Sequence, residues 1–145
     1  MSPGTLPAAL RAVGAACAAV DAVMAGEGEN AFCALRPPGH HAEANRAMGF
    51  CLFNNVAIAA RHAQRAYGLR RVLIVAWDVH LGNGTPDIFY CDSSVACFST
   101  HHCPPYPGTG KGTEGGAGPG ERCILNAPLP PGTAPSCPPP PRQSP

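Results

Sequence analysis

Val72-Leu73-Ile74-Val75-Ala76-Trp77-Asp78-Val79-His80 is an apolar, β-branched run that ends in a carboxylate and an imidazole two residues apart. It reads as a strand over residues 71–79. Side chains alternate faces along a strand, so Ala76, Asp78 and His80 are expected to project the same way. Leu81-Gly82-Asn83-Gly84 follows and supplies flexible backbone where the chain would leave its sheet. Open α/β sheets bind ligands at the carboxyl ends of their strands, which is where Asp78 and His80 fall. Two readings stay open for this strand end alone: half of a metal site, or a pair of side chains capping the next turn.

Outward from this run, helices alternate with apolar strands. Leu6, Leu10, Val13, Cys17, Val20 and Met24 recur at helical spacing, predicting an amphipathic helix over 6–25 that Gly26 stops. A short buried strand is expected over 31–35. Arg36-Pro37-Pro38-Gly39-His40-His41 must then be a loop, because proline lacks an amide donor and biases its predecessor towards extended conformations. An Ala-rich helix is expected over 54–67, with Asn54 or Asn55 as N-cap and Gly68 as terminator. Pro86 and Asp87 start a short helix to about Tyr90. Strands are expected at 95–99 and 123–129, separated by a Gly- and Pro-rich loop over 104–120. This order predicts an α/β fold with a parallel sheet covered by helices on both faces.

The chain has 145 residues, about one domain's worth, with 13% charged residues and a formal net charge of +1. That balance gives no electrostatic footprint for nucleic acid or for an anionic membrane. The Ala-rich start fails as a signal peptide, since no basic residue precedes Arg11 and Asp21 interrupts the apolar run. No stretch is expected to span a membrane. Eight cysteines lie singly, without a CxxC pair and several within apolar runs. Reduced thiols in a cytoplasmic or nuclear setting are the expectation. Residues 130–145 hold too little apolar content to fold and read as a disordered, proline-rich tail.

His40 and His41 stand together after Pro-Pro-Gly at a strand exit, a placement suited to proton transfer near neutrality. Two strand ends of one parallel sheet would present them to the same crevice as Asp78 and His80. A zinc site of imidazole and carboxylate donors takes three protein ligands and leaves a fourth position for water. Asp78 and His80 provide two, and a neutral His41 could take the water's proton. This is a plan for hydrolysing an amide or ester carbonyl.

Four segments carry a family resemblance: Arg36-Pro-Pro-Gly-His-His-Ala42, Gly49-Phe-Cys-Leu-Phe-Asn-Asn-Val-Ala57, Trp77-Asp-Val-His80 with Gly82-Asn-Gly84, and Tyr106-Pro-Gly-Thr-Gly110. In order and spacing they resemble successive motifs of the zinc-dependent histone deacetylase family, closest to class II enzymes and acetylpolyamine amidohydrolase-like relatives. The resemblance implies a three-layer arginase/deacetylase-like fold, here incomplete, with residues 1–129 as a partial deacetylase domain. It implies hydrolysis of an acetylated lysine in protein, or of an acetylated polyamine, to acetate and amine. Asp78 and His80 match the first two zinc ligands. His41 matches the general base and His40 its charge-stabilising partner. Gly49, Phe50 and Tyr106 match substrate-tunnel positions, and aromatic faces around an alkyl stem suit a lysine-like substrate. Asp78, His80 and Ser99 match a monovalent-cation (K+) site.

Some positions depart from the family pattern. Ala76 stands where the family usually has an Asp that supports the first His and the cation, so the cation site is expected to be weakened, and orienting partners of this kind commonly matter roughly 10- to 100-fold. Leu81 replaces a usual His. The resemblance places the third zinc ligand and a carbonyl-polarising Tyr beyond this chain, and the tail reads like a frameshift or altered exon. The expectation is therefore a truncated deacetylase with little or no turnover; the alternative is a non-catalytic interaction fragment or a gene-model fragment.

Overall fold

The computed structural model describes residues 2–102 and 106–133. Helix α1 spans Thr5–Met24, α2 Asn55–Tyr67, β1 Val72–Ala76, α3 Gly84–Ile88, β2 Val95–His102 and β3 Ile124–Leu129, with a 3-10 turn at Gly118–Gly120. The strands form one sheet in the order β1-β2-β3, both pairs parallel. Val72 stands beside Val95 and Ala76 beside Ser99, while Cys97 stands beside Ile124 and His102 beside Leu129. The parallel α/β organisation expected from the alternation is present. The proline run at 138–141 lies outside the described residues.

Pleating sends Ile74, Val95, Cys97 and Ile124 to one face, where they meet Ala57 and Ala60 of α2 and Phe89 after α3 in the core. Helix α2 is bounded as its sequence requires. The Asn54 side chain accepts the amide hydrogen of Ala57, and Gly68 closes the helix at φ 67° in the left-handed region. The same Asn54 donates to the carbonyl of Ala42 and to Thr85 Oγ1, tying α2 to the loop behind the tandem histidines and to α3. Helix α1 packs on α2, and Asp21 accepts hydrogen bonds from His62 and Tyr67 across their interface.

Four expectations need correction. The segment 31–35 is not a strand: it forms no ladder and is largely exposed, with Phe32 at 93%. Among the described residues no strand lies beside it, and a strand is defined by its partner. The run at 71–79 keeps strand pairing only to Ala76. The Asp78 carboxylate accepts the backbone amide of His80 at 2.6 Å in a local turn, while the Val79 carbonyl still accepts the amide of His102 at the end of β2. On α1 the buried positions are Ala9 and Ala12, whereas Leu6 and Leu10 are half exposed; small side chains make the close contact with α2. Finally, α1 is long and apolar enough to cross a membrane by length and composition, contrary to expectation, because its many alanines count as apolar on every side.

Candidate active site

Four segments bring the singled-out residues around one pocket of about 620 Å³, lined by Pro38, His40, His41, Gly49, Phe50, Asp78, His80 and Tyr106. The loop after residue 35 supplies the tandem histidines, and the bend after β1 supplies Asp78 and His80. A tight turn closed by the Met48–Cys51 bridge supplies Gly49 and Phe50. Its backbone is left-handed at both, φ 55° and 63°. That conformation is uncommon for a phenylalanine, and it turns the ring out to 96% exposure at the pocket's rim. Tyr106 lies edge-on to His41 and to His80, with ring centroids 5.3 and 6.3 Å away.

His41 is buried, and its Nδ1 lies 2.8 Å from Asn83 Oδ1. The Asn83 amide nitrogen donates to Glu43 Oε1 at 2.9 Å, and Glu43 in turn is paired with Arg46. His40 stacks beside His41, ring centroids 4.1 Å apart. Burial pushes the His40 imidazole below its ordinary range and His41 adds to this, while Asp78 opposes it and His80 makes the smallest addition. No side chain among the described residues hydrogen-bonds the His40 ring, and Ala76 at the end of β1 has no polar group to offer it. Glycines let the histidines sit where they do. A Cβ on Gly49 would run into the His41 ring, and one on Gly82 would lie 2.7 Å from His40 Nδ1.

Asp78 and His80 are each about half exposed, with Oδ2 and Nδ1 3.4 Å apart. The turn-capping reading is present, since the carboxylate accepts the His80 amide, and both side chains also line the pocket. As a metal site the pair falls short. Among the described residues no group of three His, Cys, Asp or Glu side chains is arranged to hold a metal ion, whereas a zinc site takes three protein donors. The residues described therefore do not hold a zinc ion by themselves. Ser99, beside Ala76 in the ladder, has its hydroxyl 3.0 Å from Nδ1 of the buried His101, whose Nε2 donates to the Gly110 carbonyl.

Sequence reasoning missed Asn83, Glu43 and His101. Asn83 carried a signal, since an amide between two glycines beside a ligand-bearing bend is placed for close approach. Glu43 and His101 carried none, because their partners are distant in sequence.

Comparison with known proteins agrees with the geometry. Residues 1–136 match the family described as Histone deacetylase domain. The chain is 50% identical over 134 residues to "Histone deacetylase 14, chloroplastic" of Arabidopsis thaliana, covering 89% of this chain and 32% of that protein. It is 56% identical over 99 residues to "Polyamine deacetylase HDAC10" of Rattus norvegicus, covering 68% and 17%. The solved HDA15 HD domain superposes with a TM-score of 0.80 at 47% identity, over 83% of this chain and 35% of that one. The chain thus spans about a third or less of the length of these relatives.

Proposed function

The chain belongs to the histone deacetylase family, and we propose that its pocket is a deacetylase-type site for hydrolysing the N-acetyl amide of a lysine side chain or of a polyamine. The observation that carries this reading is the convergence of His40, His41, Gly49, Phe50, Asp78, His80 and Tyr106 on one pocket. In it, His41 takes the proton of the attacking water and passes it to the leaving amine nitrogen as the amide C–N bond breaks, and His40, whose charging burial disfavours, is the neighbour that stabilises developing charge. Phe50 and Tyr106 flank the alkyl stem of the substrate. Asp78 and His80 would be two of the donors for the zinc that the family resemblance implies. A K+ bound near Ser99 would be held weakly, because Ala76 adds no charge.

The test pairs binding with turnover. An acetyl-lysine peptide and an N-acetylated diamine are each expected to shift the ring resonances of His41 and His80, and Phe50→Ala to weaken that binding. His41→Ala is expected to lower acetate release about 100-fold or more. An acetylated ligand that neither binds nor turns over would defeat the proposal. It would favour the second reading, a non-catalytic interaction piece, whose supporting observation is the exposed apolar set Leu73, Val75 and Trp77.

A further inference from the structure

The pocket reading gives no role to the Glu43–Arg46 pair behind the tandem histidines. Arg46 Nε donates to Glu43 Oε2 at 2.9 Å and its Nη2 to Oε1, so both carboxylate oxygens are fixed by one guanidinium. The pair holds the Glu43 carboxyl below its ordinary range, and as an ion it accepts hydrogen bonds and donates none. Asn83, itself 8% exposed, turns its amide nitrogen to this carboxylate and to Met48 Sδ at 3.5 Å. Both neighbours are acceptors. A flipped amide would set Asn83 Oδ1 against a carboxylate oxygen and leave its NH2 facing the ring of His41, which is costly at a buried position. The orientation in the structure is therefore the one the network requires.

That orientation has a consequence for the ring. With Asn83 Oδ1 as the group 2.8 Å from His41 Nδ1, the nitrogen must carry the hydrogen. Nε2 of the neutral ring is then the unprotonated nitrogen, and it has no hydrogen-bond partner among the described residues. We propose that Glu43 is a positioning residue, which through the Asn83 amide holds neutral His41 as the Nδ1–H tautomer and so keeps Nε2 free as the proton acceptor. This rests on the reading of His41 as the base and adds what sets its tautomer. Glu43 touches neither the pocket nor a substrate; it acts two hydrogen bonds away.

The tautomer is readable in the resting protein without substrate, from the 15N shifts of the ring nitrogens above the histidine titration. The wild-type chain is expected to give His41 a pyrrole-like Nδ1 and a pyridine-like Nε2. Glu43→Ala is expected to lose that single pattern and show an Nε2–H population, because the Asn83 amide is then free to flip. Adding Asn83→Asp to Glu43→Ala is expected to restore the Nδ1–H pattern, since a carboxylate accepts whichever way it is turned. A purely structural role for Glu43 would not be rescued at position 83. If Glu43→Ala fails to fold, the isosteric Glu43→Gln serves, with a partial loss expected. An Nε2–H ring in the wild type, an unchanged pattern in both Glu43 variants, or no restoration by Asn83→Asp would overturn the proposal. An acetylated ligand that neither binds nor turns over, with the tautomer pattern intact, would defeat the functional reading and leave the Glu43 assignment standing.

Discussion

The tandem histidines are held by contacts that admit no side chain on two nearby residues. A Cβ on Gly84 would run into the Ala42 carbonyl oxygen, and one on Gly49, at φ +55°, would overlap the His41 ring. Neither neighbour is the loose end of a flexible chain. Gly84→Ala must push backbone against backbone and is expected to cost about 2–4 kcal/mol, read as a lowered urea midpoint. Gly49→Ala, which adds backbone strain to the collision, is expected to cost about 1–3 kcal/mol. The two should differ at the site. Gly49→Ala displaces His41 and should weaken acetyl-ligand binding in whatever protein remains folded, whereas Gly84→Ala acts through the backbone of Ala42. Unchanged urea midpoints in both would mean that the loops are looser than their packing indicates. At this scale the sequence was a good guide to which side chains meet, since every residue named for the pocket lines it. It could not reveal the Asn83–Glu43–Arg46 chain. Hydrogen-bond partners forty residues apart, such as Asn83 and Glu43, leave no local pattern.

The strands at 95–99 and 123–129 and the helix α2 were legible; the segments whose ends depend on a distant contact were less so. Helix α2 begins at an Asn that caps it and ends at a left-handed Gly, both written in the local sequence. The segment 31–35 has strand composition without a neighbour to pair with among the described residues, and β1 gives way after Ala76 to a turn in which Asp78 accepts the His80 amide. The α1–α2 contact is a third case, for its polar clasp joins Asp21 to His62 and Tyr67 across more than forty residues. The His62 hydrogen bond, and then that of Tyr67, hold the Asp21 carboxyl below its ordinary 3.8. A carboxyl depressed by folding adds stability that is complete above the unfolded value and fades as pH falls through the folded one. The clasp should therefore be intact at pH 5 and above and be lost progressively below about pH 4. Asp21→Asn is expected to lower the urea midpoint modestly at pH 6 and to have no effect near pH 2. A difference that is the same at both pH values would show that the clasp contributes nothing through charge.

At the scale of the whole molecule, the parallel sheet of the described residues has unequal faces. One face lies under α2, which in turn carries α1. On the other, Leu73 is 64% exposed, Val75 44% and Leu125 52%, and Trp77 beyond the end of β1 is 80% exposed. Parallel sheets in water normally have both faces covered, and contiguous exposed apolar surface drives association. β1 adds to this as a sheet edge, since its outer backbone groups face no neighbour among the described residues. The purified chain is therefore expected to bind an apolar fluorescent dye and to associate with rising concentration, and Trp77, its only tryptophan, to emit as a solvent-exposed indole open to acrylamide. Leu73→Lys combined with Val75→Lys places two like charges on that face without touching Ile74 or Cys97 in the core. It should reduce both dye binding and association while leaving the far-ultraviolet circular dichroism unchanged. The alternative, a chain that stays monomeric, binds no dye and shields Trp77 from quencher, would mean that something in the protein covers this face in solution, and the one-sided sheet would then be the wrong description of the folded state.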